Sequence, residues 1–174
     1  MNASLLTVNR RAQRGISLIE VIASLALVAV VIGGALALLS SGNTSAYTTQ
    51  MQRDLVSIRA ALQQIYNGQG GYTAGSLNSI LINANRVPTT MSISGTTITH
   101  ALNGTVTVTG ATSNFTITVT NIPSDVCVGL VSGAAGYQSV QVGANPAITS
   151  FPVSPATSSS QCAGGPKTIV FTAA

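Results

Sequence analysis

The chain has 174 residues, of which seven are Lys or Arg and three are Asp or Glu, with one His and two Cys. At 6% charged residues it lacks the clustered basic stripe with interleaved aromatics that a nucleic-acid surface needs; Arg53, Arg59, Arg86 and Lys167 are scattered, so no direct nucleic-acid binding is expected. His100 and the isolated Cys127 and Cys162 do not make the close-spaced ligand pairs of a zinc site, and neither a metal nor a cofactor is expected.

Residues 1–15 read as a short polar leader in which Arg10, Arg11 and Arg14 stand next to an apolar segment. Residues 21–39 carry no charge and, with Ile16 to Ile19 in front of them, are long enough to cross a hydrocarbon core of about 30 Å as a helix. The positive-inside rule keeps the leader cytoplasmic and exports the chain beyond Leu39. Glu20 stands alone near the start of this run. Transfer scales assign about 2.5–3.5 kcal/mol to such an acidic group at mid-membrane, and less toward an end, so lipid tolerates Glu20 rather than favouring it. Ala29, Gly33, Ala37 and Ser41 share one helix face, either as a small-residue packing row or because alanine is abundant here. No proline intervenes between Ile16 and Tyr66, so one helix is predicted over residues 16–66, softened near Gly33, Gly34 and Gly42. Tyr47, Met51, Leu55, Ile58, Leu62 and Ile65 form an amphipathic stripe in its second half, and residues 67–71 end it with turn formers.

Residues 67–174 read as one globular head. A short helix is predicted over 77–86, stopped by Val87 and Pro88, then a hairpin of 91–93 and 96–99 around Gly95. The period-two alternation of 105–109 and 115–120 predicts antiparallel strands with one buried face. A helix start at Ser124 and Asp125 introduces a short helix over 125–131 that carries Cys127. Residues 154–161 read as a loop and 168–172 as a closing strand. Asp54 beside Arg53 reads as a solvated pair, and His100 as a surface or core residue. No glycine-flanked nucleophile of the G-x-S-x-G kind accompanies the histidine, and the chain is not expected to be an enzyme. In an oxidising compartment Cys127 and Cys162 would pair. On the chain-entropy account, that bridge would stabilise the head by about 3–4 kcal/mol.

The junction Arg14-Gly15-Ile16-Ser17-Leu18-Ile19-Glu20, with the apolar run after it, resembles the type III signal of type IV prepilins. Residues 55–72, and Cys162-Ala163-Gly164-Gly165 before a terminal apolar strand, look like the type IVb group. That group includes the toxin-coregulated pilus subunit and the thin-pilus pilins of conjugative plasmids. The resemblance implies cleavage after Gly15 by a prepilin peptidase, N-methylation of Ile16, and pairing of Glu20 with the new amino group at Ile16 of a neighbouring subunit during assembly. It implies an α+β fold in which a long N-terminal helix, membrane-spanning in residues 16–39, packs on a C-terminal antiparallel sheet. The function implied is that of the structural subunit of a type IVb pilus, serving adhesion or conjugative mating contact. Its expected partners are other copies of itself in a helical homopolymer, the peptidase, the inner-membrane assembly machinery, and lipid before assembly. The prepilin would sit in a bacterial inner membrane with its head in the periplasm, and the assembled pilus would be extracellular. A type II secretion pseudopilin carries the same signal and stays open, as does a minor pilin or membrane-anchored adhesive module.

Overall fold

The computed structural model of the chain describes the backbone of residues 18–174 and the side chains of residues 18–34 and 42–174. Gly15 and Ile16 lie outside the described residues. The chain divides into two compact units, Met1–Ser40 and Ser41–Ala174. Helix α1 (Leu18–Ile65) belongs to the first unit in its amino-terminal part and to the second from Ser41 on.

In the second unit, α1 presents Met51, Leu55, Ile58 and Leu62 to the core, each no more than 2% exposed. Their spacing of four, three and four is that of one helix face. The rest of the unit supplies the opposing surface. In chain order it comprises β1 (Gly75–Ser76), α2 (Asn78–Asn83), β2 (Ser92–Ser94), β3 (Thr97–Thr99), β4 (Thr105–Gly110) and β5 (Phe115–Ile122). After these come α3 (Ser124–Ser132), β6 (Ser139–Val142), α4 (Pro155–Gln161) and β7 (Lys167–Ala173). The strands form one antiparallel sheet in the order β2-β3-β4-β5-β7-β6, with β1 paired to β4. The last strand therefore lies inside the sheet. Ile98, Val106, Val119, Ile169 and Val142 face one another across five strands, and Val108, Ile117, Phe171 and Val140 form a second row. Every one of these side chains is at most 1% exposed, so the alternation that puts valine and isoleucine inward leaves the intervening threonines on the other face. The pairing of β5 with β7 shifts register between Val119 and Ile122, where Asn121 takes a left-handed φ of 58°, the signature of a bulge.

Asn78 replaces a missing strand at the edge of β4. Its amide nitrogen donates to the carbonyls of Thr96 (3.2 Å) and Val106 (3.1 Å), and its oxygen accepts from the Val108 N–H at 2.8 Å. Leu77 N–H donates to the Val108 carbonyl at 2.8 Å. Helix α2 is shorter than the predicted 77–86, because Asn85 turns left-handed at φ 53° and Arg86 N–H closes back on the Leu81 carbonyl at 2.9 Å, a Schellman-type stop.

The structure departs from the sequence pattern at three other places. Residues 155–161, expected as loop, are helix α4: Ser154 caps it by accepting from Thr157 N–H at 3.2 Å, and proline occupies the first turn, where its missing N–H costs nothing. Strand β6 is an element that the pattern does not predict. Asp54 is not solvated beside Arg53 but 6% exposed, accepting from the Thr90 hydroxyl at 2.8 Å. Cys127 in α3 and Cys162 at the end of α4 are joined, with Cα atoms 5.8 Å apart, so the bridge ties the two short helices together.

These contacts generate two expected outcomes. Asn78→Leu removes the side-chain acceptor of the Val108 N–H and should lower head stability by about 2–3 kcal/mol, read as a lower urea midpoint at unchanged slope. Reducing the Cys127–Cys162 bridge, or replacing both cysteines by serine, should cost about 3–4 kcal/mol and make the region of α3 and α4 the first to be cut in limited proteolysis.

Candidate functional site

The amino-terminal unit exposes what a folded head would bury. Leu18, Ile19, Leu25, Leu27, Val30 and Val31 are between 64% and 79% exposed, and the exposed large side chains lie on every side of the helix. A helix that is apolar all round is stable only against lipid or against other helices. Glu20 is the acidic residue of the first turn, where the helix dipole favours negative charge. Ala29 is exposed and Gly33 has open space around it. The side chains of Ala37 and Ser41, the other members of that row, lie outside the described residues. Among the described residues no helix is long and apolar enough to cross a membrane, and the expected span, residues 16–39, begins outside them.

In the head, the remaining candidate residues serve the fold. His100 is 2% exposed. Its Nδ1 accepts the Leu102 N–H at 3.2 Å, and its Nε2 therefore donates to the Thr120 carbonyl at 2.9 Å, which fixes one neutral tautomer. Burial pushes its pKa below the ordinary 6.5, against the opposing pull of the Thr120 carbonyl and of Asp54. Asp54 is pushed above the ordinary 3.8 by burial, less what the Thr90 hydrogen bond returns. Asp125 is exposed at the start of α3, accepts from the Thr44 hydroxyl at 2.5 Å, and is held below 3.8 chiefly by that bond. Tyr137 lies under the Arg59 guanidinium at 5.2 Å from the ring centroid, and burial raises its phenol to about 12. Among the described residues no group of His, Cys, Asp and Glu is arranged to hold a metal. Asn78, Thr44 and Thr90 give no signal in the sequence, since isolated polar residues in a chain rich in them are indistinguishable from their neighbours.

Residues 45–174 match the family described as PilS N terminal, and residues 10–36 match the prokaryotic N-terminal methylation motif. The chain belongs to the PilS family of type IV pilins. The major structural subunit of bundle-forming pilus from Escherichia coli O111:H- is 29% identical to this pilin over 153 residues, covering 82% of this chain and 78% of that one. The crystal structure of TcpA, a type IV pilin from the Vibrio cholerae El Tor biotype, superposes with a TM-score of 0.53 over 74% of this chain and 99% of that one, at 17% identity. That is a likeness of fold: an amino-terminal helix packed on an antiparallel sheet.

The His100 geometry makes the pilin head sensitive to acid. A pKa lowered on folding means that the unfolded chain binds the proton more tightly, so the contribution of neutral His100 is complete above about pH 6.5 and is lost as pH falls through that value toward the folded one. Urea midpoints measured on either side of pH 6.5 should fall on the acid side, and His100→Gln should flatten that part of the curve. Asp54 has the opposite sign, its raised pKa favouring the folded state at low pH, and because the two groups interact the comparison between parent and variant reads the histidine together with its coupling to Asp54.

Proposed function

We infer that this pilin is the structural subunit of a type IVb pilus, made as an inner-membrane prepilin and assembled through its amino-terminal helix. The observation that carries this reading is one chain combining a methylation motif at residues 10–36 with a pilin head over 45–174. The relative that names a pilus subunit supports it. Cleavage falls after Gly15 by a prepilin peptidase, and Ile16 becomes the methylated first residue. Residues 16–39 rest in lipid until the assembly machinery extracts them, and then pack against the same segments of other copies as the filament core. The exposed apolar side chains of the first unit need such a cover, since water leaves them unburied at about 25 cal/mol per Å². The Glu20 carboxylate receives the amino group at Ile16 of a neighbour, which turns an isolated acid in an apolar medium into a paired one. The heads, each closed by the Cys127–Cys162 bridge, cover the outside and serve adhesion or mating contact.

The test is filament yield in a host carrying a matched peptidase and assembly system. Glu20→Ala should insert and be cleaved, with mass spectrometry reading Ile16 as the first residue, yet give few or no filaments by electron microscopy. Removing one partner of a buried ion pair costs about 3–5 kcal/mol per interface. Glu20→Gln should fall between the two. Normal filament yield from Glu20→Ala would remove the pairing role, and an absence of filaments from the parent chain would remove the subunit assignment.

A further inference from the structure

The sequence contains two Asn-Gly pairs, Asn67-Gly68 and Asn103-Gly104, and the fold treats them in opposite ways. An Asn-Gly pair is the dipeptide most open to imide formation, because glycine carries no side chain to hinder attack by its own backbone nitrogen. Whether the attack occurs depends on whether the backbone can swing the glycine nitrogen onto the asparagine side-chain carbon.

At Asn103 it cannot. The turn is closed by Asn103 N–H to the His100 carbonyl (3.0 Å) and by His100 N–H to the Gly104 carbonyl (2.9 Å), and Asn121 donates to the Leu102 carbonyl at 3.0 Å. Gly104 is buried, and a Cβ placed on it would lie 1.9 Å from the Thr120 carbonyl oxygen and 2.4 Å from His100 Nε2. No rotation of that peptide is free. Asn67 lies just past the end of α1; its turn is also hydrogen-bonded, by Asn67 N–H to the Gln64 carbonyl (3.4 Å) and Gln69 N–H to the Tyr66 carbonyl (3.0 Å), but Asn67 and Gly68 are both exposed. A Cβ on Gly68 would meet nothing within 4 Å, its φ is +80°, and Gly70 and Gly71 come soon after.

We propose that Asn67 is a site of spontaneous conversion to aspartate and isoaspartate in the folded pilin, and that the turn at Asn103 protects the second pair. The Gly68 nitrogen attacks Asn67 Cγ, the new C–N bond forms, and the Cγ–Nδ2 bond breaks; the side-chain amide leaves as ammonia, carrying the proton given up by the glycine nitrogen. Water then opens the five-membered imide at either carbonyl, giving aspartate or its isomer with the chain running through the side chain. No oxidant or second protein is required.

The product is a new kind of group for this head. Asp54 is buried against Thr90 and Asp125 is engaged by Thr44, whereas the new carboxylate would stand free at the carboxyl end of α1, where the helix dipole opposes negative charge and the last turn holds no basic residue. Across the groove of about 740 Å³ that Asn67 lines stands Arg86, the one cation in its wall among the described residues. Conversion therefore gives Arg86 an acidic counterpart and changes the surface charge of the pilin as it ages.

The full chain in detergent, incubated at mildly alkaline pH in heavy-oxygen water, reports the reaction by peptide mapping, with the urea-denatured chain as reference. Both turns lose a hydrogen bond on opening, but only the Asn103 turn must also shift a buried peptide packed on Thr120 and His100, and about 1.4 kcal/mol on a barrier is a factor of ten in rate, so label should enter at residue 67 at least about ten times faster than at 103. In the denatured chain the two should be comparable. An acidic charge variant should appear by ion exchange in the parent and be absent from Asn67→Gln. Equal or faster labelling at Asn103 in the folded chain overturns the proposal, as does a folded chain that keeps its amide at Asn67 while the denatured chain converts.

Discussion

The burial of one stripe of α1 is the constraint on which the rest of this molecule depends. Met51, Leu55, Ile58 and Leu62 are covered and form one core with the inward rows of the sheet, whereas Leu18 to Ile32 expose large apolar side chains that no described residue of their own unit covers. The same helical periodicity thus ends in two different situations. Where polar residues alternate with the stripe, the chain builds its own partner in the head. Where they are missing, burial must come from outside the chain. A protein with this division is stable as a head and incomplete as a helix, and polymerisation is one way to satisfy both ends.

Scarcity of charge sharpens that division. Of the three acidic side chains, Asp54 is taken up inside the head by Thr90 and Asp125 is held by Thr44, and the third, Glu20, belongs to the first unit. The outer face of the sheet is made by the threonines of β4 and β5 that alternate with its buried valines and isoleucines, and hydroxyls can face water or a neighbouring subunit without the desolvation cost of an ion. Surfaces of this kind can pack closely in a filament and still be wet on its outside.

Local patterns are legible in the sequence and long-range ones are not. Strands β4 and β5 emerge from strict alternation, and α1 in the head from its stripe, because each is decided by neighbours two to four residues apart. Helix α4 is hidden by composition: Ser154 to Gln161 looks like a polar loop until the Ser-Pro-x-Thr cap is recognised at its start. Strand β6 is four residues long, too short for its alternation to stand out. Asp54 looks solvated in the sequence because its partner, Thr90, lies far along the chain, and no rule of spacing joins them. The amino-terminal motif is readable because the basic residues, glycine, acid and apolar run are contiguous, and residues 10–36 match the methylation motif. The structure describes Glu20, while Gly15 and Ile16 lie outside the described residues.

The order of the sheet has a consequence for how the head forms. Strand β7, the last in the chain, pairs with β5 on one side and β6 on the other, so the two buried rows that cross the sheet stay open until residues 167–173 are in place. Pairings of such sequence separation form late, because loop closure must precede the contacts that reward it. The Cys127–Cys162 bridge closes the loop immediately before β7 and contains β6 within it. It therefore shortens the effective distance that β7 must search, acting on the very step at which the core is least complete. A head whose buried rows stay open until its final strand arrives gains from a covalent bond at that point more than it would from one anywhere along the already local β4–β5 hairpin.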